Sequence, residues 1–184
     1  MTNSTGSFLH TILDLTANDN QAKLTIALFA VYSVILVWVI IFKTQFSFSD
    51  LPQYREINLI PFAGSGIKNS QLDFKEILWN VLIFIPFGLY WSLIKQNWPF
   101  WRKILIIAGV SLLFELAQFA FGIGGSDITD LISNTLGGAI GIGLYAALFR
   151  LLKEKTHKVL NIVGLIGTIG VVLLVLFVVF FFTH

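Results

Sequence analysis

The chain has 184 residues, of which 56% are hydrophobic and only 12% charged, with a formal net charge of +2 and no cysteine. Ordinary soluble domains carry about twice that share of charge, so composition excludes a soluble globular domain, a disordered chain and a collagen-like fibre. The small net charge argues against a nucleic-acid partner, and the absence of thiols excludes disulfide scaffolds, thiol nucleophiles and cysteine zinc sites.

Mean hydropathy is +0.83, carried by apolar runs of about 20 residues, the length a membrane crossing needs. The first 23 residues are polar. A span at 24–42 follows, apolar apart from Thr25 and Ser33. It lacks a basic flank and a small-residue cleavage site, so it reads as a retained span rather than a removed signal peptide. After a connection over 43–76 come spans at 77–94, with Asn80 and Pro86, and at 104–121, with Glu115 and Gln118. A glycine-rich span covers 131–152, and the most apolar span covers 159–182. In lipid the backbone has to satisfy its own hydrogen bonds, so each span is a helix. The pattern predicts an all-α polytopic membrane bundle of five transmembrane helices, forming one membrane domain over 1–184.

Orientation follows the distribution of Lys and Arg. One side carries Lys23, Lys95, Arg102, Lys103, Arg150, Lys153, Lys155 and Lys158, the other only Lys43, Arg55, Lys68 and Lys75. The richer side is expected to face the cytoplasm, placing the N-terminus inside. His157 falls in the basic loop of that side, far in sequence from His10 and His184, so no histidine-centred site is expected.

Polar residues inside spans carry the functional signal. Asn80 lies about one turn inside its span. Glu115 and Gln118, three apart, share a face. Asp127 and Asp130 open the fourth span, and Asn134 continues their face. At 1.5 Å per residue all of these fall within about 10 Å of the outer surface, and no polar group of comparable cost is expected in the inner half. A charged residue inside a span costs about 2.5–3.5 kcal/mol on insertion scales and normally faces a partner. Arg55 is the partner expected for Glu115. Asp127 and Asp130 suit helix capping. With Glu115, Gln118, Asn80 and Asn134 they also make an oxygen-rich set suited to Mg²⁺ or Ca²⁺. Asn80 and Asn134 suit hydrogen bonds between helices, and Gly137 with Gly141, like Gly164, Gly167 and Gly170, suits close helix packing that would also permit a homodimer. Leu59, Ile60 and Phe62 argue against a solvated connection, which is expected to fold back over the polar cluster.

Four blocks in this order resemble the VanZ-like family, named after the accessory protein of teicoplanin resistance: Arg55-x-x-Asn58-Leu59-x-Pro61-Phe62; Asn80-x-x-x-Phe84-x-Pro86-Phe87-Gly88; Glu115-x-x-Gln118; and Asp127-x-x-Asp130-x-x-x-Asn134-x-x-Gly137-x-x-x-Gly141. They span residues 55–141. Where similar proteins often carry a basic residue before the first Asp of the last block, this chain has Gly124, Gly125 and Ser126. The resemblance implies a bacterial envelope protein of the cytoplasmic membrane linked to glycopeptide tolerance, and it carries over no catalytic residue. Arg55, Asn58, Asn80, Glu115, Gln118, Asp127, Asp130 and Asn134 are the candidate ligand-binding residues, and a membrane lipid or lipid-linked cell-wall intermediate is the expected partner. The alternative is a metal-dependent enzyme acting on a lipid or polyprenyl phosphate. Transport is disfavoured, because five spans are few and the inner half offers no polar relay.

Overall fold

Each apolar run is helical. The computed structural model describes residues 4–42, 57–62, 67–68, 71–72, 74–123 and 125–183. Its helices are α1 (Ser4–Phe42), α2 (Phe74–Ile94), α3 (Phe100–Phe121), α4 (Ile128–Leu152) and α5 (Thr156–Thr183). Strands of two residues lie between them: β1 (Ile57–Asn58), β2 (Ile67–Lys68), β3 (Gln71–Leu72) and β4 (Ser126–Asp127). β1 pairs in parallel with β4, Ile57 opposite Ser126 and Asn58 opposite Asp127, while β2 and β3 form a small antiparallel pair.

Four helices are long and apolar enough to cross a membrane: Asp19–Ile41, Phe74–Ile94, Phe100–Phe121 and Ile128–Leu173. The protein is an all-α, multi-pass membrane protein, with about four such helices rather than the five expected. The difference lies at the basic stretch between the last two expected spans, which does not open into a loop. Lys153–Lys155 continues the run as a 3₁₀ turn, with Lys153 at φ 48°. The Thr156 hydroxyl donates to the Lys153 carbonyl at 2.6 Å, and the chain re-enters a helix at once. His157, expected in a loop, is therefore in the first turn of α5. At the other end of the chain, the polar N-terminal residues lengthen α1 instead of preceding it.

Two compact units divide the chain: Met1–Tyr32 with Phe149–His184, and Ser33–Leu148. In the first, α1 and α5 are joined by a buried polar contact. The Asn161 amide donates to the Gln21 carbonyl at 3.0 Å and to Gln21 Oε1 at 2.9 Å. The Thr25 hydroxyl stands 2.9 Å from Asn161 Oδ1 and from the Gln21 carbonyl. Gly167 and Gly170, expected to pack against a neighbour, face open space.

In the second unit α2 and α4 run parallel and α3 runs antiparallel to both. The seam between α2 and α4 is built on glycine. A Cβ at Gly137 would strike the Val81 carbonyl, one at Gly141 the Ile85 carbonyl, and one at Gly88 the Gly138 carbonyl. Lipid tails are as apolar as leucine, so close backbone contact, rather than burial, holds such helices together. Phe84 is fully buried and meets the edge of Phe114 at 6.4 Å, filling the space between α2 and α3. Trp79, Leu113, Leu116 and Leu136 point outward, as a lipid-facing surface requires. Pro86 has no N–H to give the helical ladder, yet α2 runs through it.

Gly141→Ala should cost about 3 kcal/mol, the upper range for overpacking, because α2 backbone fills the space. Gly143→Ala, with nothing within 4 Å of its Cβ position, should be neutral or gain up to about 1 kcal/mol of helix propensity. Thermal unfolding of the two variants in mild detergent separates them. Asn161→Ala should cost about 1–2 kcal/mol, the upper range for interhelical hydrogen bonds in membranes, in the same assay.

Candidate functional site

The site forms where α3 ends and α2 and α4 begin. α3 stops at Gly122, whose φ of 68° is open to glycine at little cost. The Gly122 and Ile123 N–H groups bond back to the Phe119 and Gln118 carbonyls, as in a Schellman termination. The chain then returns alongside α3 as β4. Glu115, 5% exposed, fastens this return. Its Oε2 accepts the Asp127 N–H at 2.8 Å, and its carbonyl accepts the Ser126 hydroxyl at 2.8 Å.

Asp127 starts α4. Its Oδ1 accepts the Thr129 N–H at 2.7 Å, satisfying a donor that the first turn of a helix otherwise leaves unpaired. Its Oδ2 accepts the Asn58 amide at 3.0 Å. Asn58 Oδ1 in turn accepts the Ile60 N–H at 3.2 Å. The chain then bends so that the Phe62 N–H reaches Thr129 Oγ1 at 3.0 Å. Phe62 is held at φ 62°, a left-handed conformation costing a non-glycine residue roughly 1–2 kcal/mol. Such strain persists only where surrounding contacts over-determine it.

Three further amides join helices here. Asn80 on α2 donates to Asp130 Oδ1 at 2.7 Å, Asn134 on α4 donates to Ser111 Oγ on α3 at 2.9 Å, and Gln118 donates to the Ile40 carbonyl at 3.0 Å. Ile40 lies in the last turn of α1, where carbonyls have no partner within the helix. Asp130, in the first turn of α4, also complements the positive end of the helix dipole. Asn134 Oδ1 is buried without a hydrogen-bond partner among the described residues.

The structure thus brings together Asn58, Asn80, Glu115, Gln118, Asp127, Asp130 and Asn134. Arg55, the expected partner of Glu115, lies outside the described residues. Glu115 accepts the Asp127 N–H. The connection does meet this end of the unit, but Leu59 is 73% exposed and Ile60 is exposed. Where it is described at 57–62, backbone pairing and Asn58 hold it. Among the described residues no three His, Cys, Asp or Glu side chains are placed to hold a metal. Each acidic side chain is engaged by an N–H of the chain itself.

Sequence reasoning missed Ser111, which is buried in this network with Thr129 and Ser133. Ser111 lies one turn before Glu115 on the same face, a spacing that could have revealed it. The contact from Phe62 to Thr129 joins residues 67 apart and leaves no local trace. The expected confinement of polar residues to one depth is also corrected. Lys103 is 5% exposed, on the same face of α3 and about 18 Å from Glu115 along the helix axis.

Asp127→Ala should cost about 1–3 kcal/mol through the lost cap and the abandoned Asn58 amide, and should speed hydrogen exchange at Ile60 and Phe62. Asp127→Asn keeps a capping oxygen and should lose less than half as much.

Comparison with known proteins places this geometry. The family model VanZ/LLP1 matches residues 29–153, from the middle of α1 to the 3₁₀ turn, and so includes every residue of the network. The chain is 39% identical over 130 residues to Protein VanZ of Enterococcus faecium, covering 70% of this chain and 77% of that protein. No solved structure matches it. On the extent of the family match and on this identity, the chain belongs to the VanZ/LLP1 family.

Proposed function

We propose that this protein works in the bacterial cytoplasmic membrane, where the polar end of α2, α3 and α4 binds a lipid or a lipid-linked wall component and so supports tolerance of teicoplanin-type glycopeptides. The observation that carries the reading is the buried network around Asp127 at the ends of apolar helices, the depth at which lipid headgroups lie. Glu115, Asp127 and Asp130 bring three carboxyl groups to that end. Asn134 Oδ1 adds a buried acceptor with no hydrogen-bond partner among the described residues, so a ligand hydroxyl or amine entering here gains a hydrogen bond at no loss to the chain. Asn58 and the strained Phe62 lie beside this end, and Arg55 precedes them in sequence. The orientation drawn from Lys and Arg counts puts this end toward the outer leaflet, where glycopeptides meet their lipid-linked targets.

Glu115→Gln and Asp130→Asn test the reading, because each keeps an oxygen where the Asp127 N–H and the Asn80 amide need one and removes only charge. Native mass spectrometry in mild detergent should show a specific lipid or lipid-linked intermediate on the wild type. The double variant should retain about tenfold less, the scale of one charge-assisted hydrogen bond. Cells carrying the double variant should lose teicoplanin tolerance in parallel. Unchanged retention together with unchanged tolerance would sink the proposal.

A further inference from the structure

The opposite end of the second unit has the reverse chemistry. α3 begins after Pro99, which supplies no side-chain cap, and its first turn contains no acid. Arg102 and Lys103 stand in that turn instead. Both sit at the positive end of the helix dipole, where cations are disfavoured and anions favoured. Arg102 is exposed and lies over the Trp101 ring at 5.1 Å, and exposed Lys95 lies over the Trp98 ring at 5.6 Å. Paired Trp and basic side chains are the composition of a headgroup-level belt.

Lys103 differs from these neighbours. It is buried, on the α3 face that carries Ile107 against Gly138 and Ser111 against Asn134. Its ammonium stands 5.7 Å from the centre of the Tyr145 ring on α4. Among the described residues it has neither an ion-pair nor a hydrogen-bond partner. With its stem buried and its three donors idle among the described residues, this ammonium gains by pairing with an anion. Ser92, near the end of α2, is also fully buried, with its hydroxyl unbonded among the described residues. The contact between Phe84 and Phe114 sets the register of α2 against α3. Counting residues from it puts Ser92 and Lys103 within about one helical turn of each other in depth.

We propose that Lys103 is the centre of a second site, one that binds a phosphate group of an anionic phospholipid at the end of the unit opposite the acidic network. The phosphate oxygens would take the ammonium donors, offset the uncapped start of α3 and lie between the Lys95 and Arg102 side chains. A phosphodiester brings a single negative charge on two free oxygens to headgroup depth, which suits a point-charge ammonium. The site is separate from the network around Asp127 and stands whether or not that network binds a ligand.

The test uses the full-length protein in alkyl maltoside micelles, which carry no phosphate, with or without added phosphatidylglycerol. Amine-reactive labelling of the wild type, read by mass spectrometry, should show Lys103 protected about tenfold by phosphatidylglycerol and unprotected in maltoside alone. Lys103→Met keeps the apolar stem and removes the charge, and after delipidation should retain about tenfold less phosphatidylglycerol than wild type. Lys103→Arg should restore most of it. Protection by inorganic phosphate or glycerol phosphate at the same concentration would keep the phosphate chemistry but assign it to a soluble ligand. Equal labelling of Lys103 with and without phosphatidylglycerol and both soluble phosphates would overturn the proposal. The labelling arm needs no variant, so a folding defect in Lys103→Met cannot mask that result.

Discussion

The backbone at Asp127 is held from three directions, and the polar end of the protein is organised around it. Glu115 takes its N–H, Thr129 and Asn58 approach its two carboxylate oxygens, and β1 runs beside it. These contacts set where α4 starts, how the chain leaves α3 and where the connection before α2 comes to rest. They are made at the margin of an apolar medium, where an unsatisfied N–H or carboxylate is costly. Removing one partner there leaves another exposed to that cost, so the residues act as a set.

Lipid imposes a different rule along the helices. Apolar side chains gain nothing by facing one another rather than the hydrocarbon, and much of the apolar surface accordingly points outward. Close approach of backbone does the holding instead. Gly88, Gly137, Gly138 and Gly141 bring α2 and α4 together, and Ile107 sits against Gly138 from α3. This tight seam fixes the depth of Asn80 relative to Asp130 and of Ser111 relative to Asn134. The glycines and the polar network are therefore one construction: packing sets the register that lets each amide meet its acceptor.

α3 joins two ends of opposite character. Glu115 and Gln118 serve the network near its C-terminus, and Lys103 lies near its uncapped N-terminus, all on the face turned inward. An apolar middle formed by Ile107 and Gly138 separates them. That separation, about 18 Å along the axis, keeps the Lys103 cation and the Glu115 carboxylate of one helix from neutralising each other.

Much of this was legible in the residues. Hydropathy sums over neighbours in sequence, so the apolar runs and the all-α membrane class could be read directly. The family was likewise legible in blocks whose order and spacing are local. So was the capping role open to Asp127, because the Thr129 N–H it binds is two residues away. The tertiary structure decided the rest. The return of the chain through Gly122 presents the Asp127 N–H to the Glu115 carboxylate, a contact between elements that spacing did not announce. The basic stretch at 150–158 looked like a loop by charge, yet only a three-residue 3₁₀ turn, Lys153–Lys155, stands between α4 and α5. Lys103 counted only as one of the charges that set orientation, yet the register of α3 against α4 buries it beside Tyr145. In each case the outcome depends on which elements face each other and at what height, a relation between distant residues that helix–helix packing settles and sequence spacing does not record.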